Sequence, residues 1–233
     1  MKTPLKPDDP SFPVPLERVS RFVRQLTHDV RNGLSAIDLE AAFLAELVTD
    51  PEAAEEIRKL RGMVASNAKM LRELSQNFQP ITLHEMPWMA ATFFDELHAR
   101  LAKQFAGENS LEVEARLGTE QISIDLEQMV VAMTAIITNA FQTRQEGDVL
   151  QLSGRIEEGR FVMELKEPKA ELGGIPPEDW GREPLNGDRP GGYGLGLYRA
   201  RRIIEAHGGT LESHHEAGAG VLTTRVVLPL CLG

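Results

Sequence analysis

His28 lies within the run Thr27-His28-Asp29-Val30-Arg31-Asn32-Gly33-Leu34. On a helix, Asn32 stands one turn beyond His28 and shares its face, with Asp29 beside them. An imidazole flanked by a carboxylate and an amide has the parts of a nucleophile: a ring nitrogen to attack, and Asp29 to hold or deprotonate the ring. The same residues also describe a solvated polar helix face, and the stretch alone leaves both readings open. A second group is Gly191-Gly192-Tyr193-Gly194-Leu195-Gly196-Leu197, which enters a helical pattern at Tyr198 to Ile204. Its glycines let backbone approach an anion closely, and a helix N-terminus adds free N–H groups and a favourable dipole. No Gly-Lys-Ser/Thr follows, so it is not the usual P-loop. No parallel β-α-β unit brackets it, so it is not a typical dinucleotide fingerprint. The third marker is Asn139, an amide late in the apolar helix Leu126 to Arg144. It needs a partner there, which a Mg²⁺–triphosphate or a helix-end backbone group would supply.

The elements that position these residues are legible from periodicity. Val19, Phe22, Val23, Leu26, Val30, Leu34, Ile37, Ala41, Leu44 and Leu47 step by three and four, which predicts a helix from about Leu16 to Val48. Asp50-Pro51-Glu52 reads as a cap and restart, and a second helix runs to about Phe78. A lone hairpin cannot bury both apolar stripes; two hairpins forming a four-helix bundle can, so a homodimer is expected. After Pro80 comes a linker, then a helix from about Met89 to Phe105. Strands are expected at Leu111–Ala115, Gln121–Ile124, Val149–Ile156, Arg160–Lys166, Thr210–Ser213 and Val221–Leu228, with a helix at Leu195–His207. Residues Pro168 to Gly192, rich in Gly, Pro and charge, predict a long loop. The second part is therefore α+β, one sheet with helices on one face. The domain division is 1–15 as an extended Pro-rich leader, 16–80 as the hairpin, and 88–233 as the α+β domain.

Composition narrows the classes. A formal net charge of −10 over 233 residues argues against general nucleic-acid binding. Cys231 is the only cysteine, so there is no internal disulfide and no thiolate metal cluster. No apolar run approaches the ~20 residues that cross a bilayer, which predicts a soluble, cytoplasmic protein with no membrane partner. His214 and His215 are adjacent on a strand and point to opposite faces, so joint metal chelation is not expected. His207 reads as a helix C-terminal histidine facing the dipole. Trp88 and Trp180 read as packing anchors. Arg199, Arg201 and Arg202 read as a solvated helix face, one of them near enough the helix start to touch a phosphate.

Taken in order, these pieces resemble the catalytic core of the two-component sensor histidine kinases, from about Leu16 to the end. Thr27–Leu34 resembles the phosphoacceptor H box, Ile136–Phe141 the N box, and Gly192–Leu197 the G2 box of the Bergerat-type ATP-binding fold. Ala206-His207-Gly208-Gly209-Thr210-Leu211 and Val226–Leu230 match the family's C-terminal texture. The resemblance implies a dimerisation and histidine phosphotransfer domain at 16–80, then an α/β-sandwich of the histidine kinase-like ATPase type at 88–233. It implies that His28 accepts the γ-phosphoryl group of ATP and passes it to an aspartate of a response-regulator receiver domain. Asp29 would be the general base, and Asn32 would position water for the reverse, phosphatase reaction. Asn139 would hold Mg²⁺, and Gly192, Gly194, Leu195 and Gly196 would line the phosphates. With no sensor region evident, the input would come from a separate protein or from a region outside this chain. The pattern departs from the family at three places. Gly33 replaces the usual Pro and should loosen or bend the helix. Ala135 stands where a polar residue is common, four positions before Asn139. The Asp-x-Gly-x-Gly box, whose Asp contacts the adenine amino group, is not intact: strand alternation brings Glu167 to that place, with Glu171 the other candidate carboxylate. Two alternatives follow. One is a histidine phosphotransferase or regulator phosphatase with a vestigial ATP site. The other is a non-catalytic dimeric scaffold.

Overall fold

The computed structural model describes residues 15–105, 110–172, 176–184 and 194–231. The chain divides into two compact units, Met1–Pro80 and Ile81–Gly233.

The first unit is a helical hairpin. Helix α1 spans Leu16–Leu47 and α2 spans Pro51–Asn77. The chain turns because Pro51 disfavours helical backbone at the residue before it. Asp50 is accordingly extended, and its carboxylate accepts the Ala53 N–H at 3.2 Å while Pro51 occupies the first helical position. The Pro-rich leader through Val14 lies outside the described residues. Arg61 bridges the helices, donating to Asp38 from Nε at 2.8 Å. Both side chains are exposed, so the pair sets register more than it adds stability. Gly33 does not break α1, which is continuous across it. The helix therefore tolerates the glycine without a break, at a cost of propensity.

The second unit carries the main core. Strand β1 (Met86–Met89) pairs antiparallel with β3 (Gln121–Ile124), in register from Met86–Ile124 to Met89–Gln121. Helix α3 (Ala90–Gln104) follows directly. Strands β2 (Leu111–Arg116), β4 (Leu150–Glu157), β5 (Arg160–Pro168), β6 (Thr210–Glu216) and β7 (Val221–Pro229) form a five-stranded sheet in the order β2-β4-β5-β7-β6. Only β2–β4 is parallel, with α4 (Leu126–Thr143) in the crossover. Helix α5 (Leu195–Ala206) completes the unit. The expectation of a single sheet is corrected here: Gln121–Ile124 leaves the main sheet to pair with Met86–Met89, part of which had read as linker. Pro87 lacks an N–H and suits such a short edge pairing.

The core lies on one face of the large sheet. Phe161, Met163 and Leu165 of β5 alternate inward against Phe93 and Leu97 of α3, Met133 and Ile137 of α4, and Ile203 of α5. Phe93 meets Phe161 edge-on, ring centroids 6.0 Å apart. His207, the C-cap of α5, is buried in this unit. It ties two helix ends together: Nδ1 donates to the Ile203 carbonyl at 2.7 Å, and Nε2 accepts the Asp125 N–H at 2.9 Å. It therefore does more than face the α5 dipole; it anchors the start of α4. Among the described residues no helix is long and apolar enough to cross a membrane.

Candidate functional site

In the first unit, α1 places His28, Asp29 and Asn32 together on its exposed surface. His28 Nδ1 lies 3.1 Å from Asp29 Oδ1 and 3.4 Å from Asn32 Nδ2. The two contacts ask for opposite tautomers. The carboxylate needs an N–H at Nδ1, the amide donor needs a lone pair. The shorter, charge-assisted contact decides it: Nδ1 carries the proton and donates to Asp29. The Nε2 lone pair is then left outward on a ring whose side chain is 55% exposed. Asp29 also accepts from Gln25 Nε2 at 3.0 and 3.1 Å. The hydrogen bond from His28, then that from Gln25, holds the Asp29 carboxyl below its ordinary pKa. The neighbouring Thr27 is buried, its hydroxyl returned to the Arg24 carbonyl at 3.0 Å.

In the second unit, one face of α4 organises the site. Ala135, Asn139 and Thr143 fall at i, i+4 and i+8, each half-buried, along roughly 12 Å of helix. Ala135 meets the first turn of α5: a Cβ placed on Gly196 would stand 3.9 Å from the Ala135 Cβ. A small residue at 135 thus lets the α5 N-terminus come close. Gly194 caps α5 in the left-handed region, φ 64°, which favours glycine. Leu195 points its side chain into the core, so its contribution to an anion site is its backbone N–H, one of the first N–H groups of α5 without intrahelical partners. Gly192 lies outside the described residues. In the middle of the α4 face, the Asn139 amide has no hydrogen-bond partner among the described residues, so it could meet phosphate oxygens or a hard cation that they carry.

At the far end of that face is a cleft of about 470 Å³ lined by Thr143, Gln145, Asp148, Pro168, Lys169, Ala170 and Glu171. Glu167 sits behind this lining on the inner face of β5, only 3% exposed. Its Oε2 accepts from Thr143 Oγ1 at 3.2 Å and from Lys169 Nζ at 3.3 Å. Glu167 and Glu171, alternative readings of one role, therefore occupy different places: the first is buried and internally paired, the second is an exposed wall residue of the cleft. Thr143 and Lys169 escaped sequence analysis. The i+4 spacing of Thr143 from Asn139 was the available signal; Lys169 had none.

Other candidates resolve structurally. His214 is exposed, whereas His215 points the other way and donates from Nε2 to the Lys169 carbonyl at 2.7 Å. The arginines of α5 are not one solvated face. Arg202 is exposed, but Arg199 is buried, which pushes its guanidinium pKa down. Arg201 donates to the Trp180 carbonyl from Nε at 3.0 Å and Nη2 at 2.8 Å, fastening α5 to the segment around the short 3₁₀ turn Pro177–Asp179. Among the described residues no three of His, Cys, Asp and Glu stand close enough to hold a metal.

No protein-family model matches the chain. Its sequence is similar to the adaptive-response sensory kinase SasA of Prochlorococcus marinus, 25% identical over 88% of this chain and 56% of that protein. It is also similar to the sensor protein SrrB of Staphylococcus aureus, 22% identical over 85% of this chain and 36% of that protein. The chain thus spans about half the length of the first relative and about a third of the second. Among solved structures, full-length ShkA in complex with AMPPNP superposes with a TM-score of 0.68 at 19% identity, over 92% of this chain and 46% of that one. The histidine kinase AdeS of Acinetobacter baumannii gives 0.53 at 17% identity, over 88% and 98%. Helical hairpin, α+β unit and sequence similarity agree: this chain is similar in sequence to sensor histidine kinases and shares the fold of solved histidine kinase structures.

Proposed function

We propose that the chain is an ATP-dependent protein histidine kinase core: His28 takes the γ-phosphoryl group of a nucleoside triphosphate, ATP in the implied reaction, and passes it to an aspartate of a response-regulator receiver domain. The observation that carries this reading is the His28–Asp29 pair, with Nδ1 tied to the carboxylate and Nε2 turned outward. The Nε2 lone pair forms a bond to the γ-phosphorus as the bond to the β-phosphate oxygen breaks, and the nucleoside diphosphate leaves. Asp29 steadies the ring and the positive charge it gains. In the second step the receiver carboxylate attacks the same phosphorus and His28 Nε2 departs. Asn32, one turn beyond His28, fits the placing of a water for the reverse reaction on the regulator.

The donor would lie along α4, phosphates at the α5 N-terminus by Gly194, Leu195 and Gly196, base in the cleft by Thr143. The N–H groups of α5 suit the phosphates, and the unpartnered Asn139 amide suits a phosphate-bound Mg²⁺. When bound, Mg²⁺ would neutralise charge on the phosphates. Catalysis would then rest on positioning. The apolar stripes of the hairpin supply a homodimer interface, and the signal would come from a separate input protein or another segment.

The phosphotransferase or regulator-phosphatase reading is favoured by one observation. Glu167, at the place of an adenine-reading carboxylate, is buried beneath Lys169 and does not line the cleft. Incubation of the purified chain with Mg²⁺ and γ-labelled ATP, beside His28→Ala and Asn139→Ala, separates the two. Acid-labile, base-stable label that requires both residues is the expected result. No label, with no measurable binding of any nucleoside triphosphate, would overturn the kinase reading. Label appearing then only from a phosphorylated receiver would establish the phosphotransferase.

A further inference from the structure

His28 separates two unlike flanks of α1. Steps of three and four residues place neighbours on either side of a helical position. On one side of His28 stand Gln25, Asp29 and Asn32, and they are joined. Asp29 accepts from Gln25 and from His28, and the Asn32 amide lies 3.4 Å from Nδ1. On the other side stand Arg24, four residues before His28, and Arg31, three after it, both exposed. Thr27, buried at the foot of this flank, ties its hydroxyl to the Arg24 carbonyl at 3.0 Å. Neither guanidinium has a hydrogen-bond or ion-pair partner among the described residues. By contrast, Arg58, Lys59 and Arg61 of α2 each hold a carboxylate. A chain of net charge −10 thus leaves positive charge uncommitted beside the ring.

The ring orientation gives this flank its use. With Nδ1 turned to Asp29, the imidazole presents Nε2 on the opposite side, the side of the two arginines. We infer that Arg24 is a further catalytic residue: its guanidinium, with that of Arg31 on the same flank, holds the phosphoryl group at His28 Nε2. This rests on the phosphoacceptor reading above. A planar guanidinium offers paired N–H donors that match two phosphoryl oxygens, and it stays protonated throughout. As the bond from Nε2 to phosphorus forms and the bond to the leaving oxygen breaks, the phosphoryl oxygens carry the negative charge that the clamp meets. Arg24 gives no proton and takes none. It stabilises charge, while Asp29 on the other flank orients the ring. The same contact persists on the phosphorylated histidine.

Two phosphoryl donors test it. The full chain is labelled from Mg·ATP and, separately, with phosphoramidate, the His28 signal being the one lost in His28→Ala. From ATP, Arg24→Gln is expected to lower kcat for His28 labelling at least about tenfold with KM within about twofold, since the clamp meets the transferring group. In the phosphoramidate-loaded chain, the His28 phosphoryl ³¹P resonance is expected to titrate about half a pH unit higher in Arg24→Gln than in the parent, because a nearby cation favours the more highly charged form. Arg24→Lys, which keeps the charge without the fork, is expected to restore most of the titration and less of the rate. Arg18→Gln removes another exposed charge from the opposite flank, about 15 Å along the helix, and is expected to change neither reading. A rate within about twofold of the parent, or an unmoved titration, in Arg24→Gln overturns the inference. So does an equal loss in Arg18→Gln, which would make the effect one of general attraction. A parent chain labelled by phosphoramidate but not by ATP counts against the kinase reading and leaves Arg24 to the titration. No His28 signal from either donor overturns the inference together with the acceptor reading beneath it.

Discussion

Asp29 is exposed, yet its work is specific: two of its neighbours use it, and one is His28. Replacing it with Asn keeps the size and removes the charge that fixes Nδ1 as the protonated nitrogen. Asp29→Asn is expected to slow phosphohistidine formation by about 10²-fold, within the range of a lost acid–base partner. The thermal midpoint should hardly move, because exposed pairs add little stability. Initial labelling rates and a melting curve check both halves, and a rate within about twofold of the parent would show that the ring is oriented without Asp29. The His28, Asp29 and Asn32 grouping was visible in the sequence because helical spacing is local. The Glu167–Lys169–Thr143 grouping was not, since Thr143 and Lys169 meet only when α4 and β5 pack side by side. Nor did sequence spacing show that Arg199 is buried and Arg201 clasps a carbonyl, because the charged run reads the same on a solvated helix.

At the scale of elements, helix ends and glycines are where local chemistry acts. Asp125 starts α4: Oδ1 accepts the Gln128 N–H at 3.0 Å and Oδ2 the His84 N–H at 2.9 Å. Burial alone would raise its pKa, but these two backbone donors, together with the neighbouring His207 and His84, hold the carboxyl below its ordinary value. A depressed folded pKa means the unfolded chain binds the proton more readily. The stabilisation is therefore complete above the ordinary aspartate pKa of about 4 and is lost as pH falls through the folded value. Asp125→Ala is expected to cost the second unit about 1–2 kcal/mol at pH 7, the range for a lost cap, with the difference shrinking in acid. Denaturant melts at pH 7 and pH 3 test this; an equal difference at both pH values would remove the charge from the explanation. In α1, a Cβ on Gly33 meets nothing within 4 Å. Gly33→Ala should therefore stabilise the hairpin by about 1 kcal/mol, read as a higher melting temperature. A loss of stability would show that the helix uses the glycine after all. Helices were legible in the sequence to within a residue or two, because periodicity and the Asp50-Pro51 punctuation are encoded locally. The pairing of Met86–Met89 with Gln121–Ile124 was not, since alternation identifies a strand but not its partner.

For the whole molecule, the hairpin leaves apolar side chains in water. Phe22 is 65% exposed, Phe43 57%, Leu47 62% and Met63 58%. Burying such a stripe against a second copy would recover about 25 cal/mol for each Å² removed from water. Sedimentation at micromolar concentration is expected to show a dimer, and Phe43→Asp with Leu47→Asp to shift it to monomer without unfolding the second unit. A monomeric parent chain would leave the stripe to a different partner. The sequence by itself determined the two-part plan, the helical hairpin, the α+β unit and the grouping of His28 with Asp29 and Asn32, because each rests on periodicity, capping or short spacing. Only the tertiary structure decided which sheet each strand joins, that His207 ties α5 to α4, and that a lysine covers the buried Glu167. Those outcomes depend on surfaces contributed by residues distant in sequence, whose meeting no local pattern records.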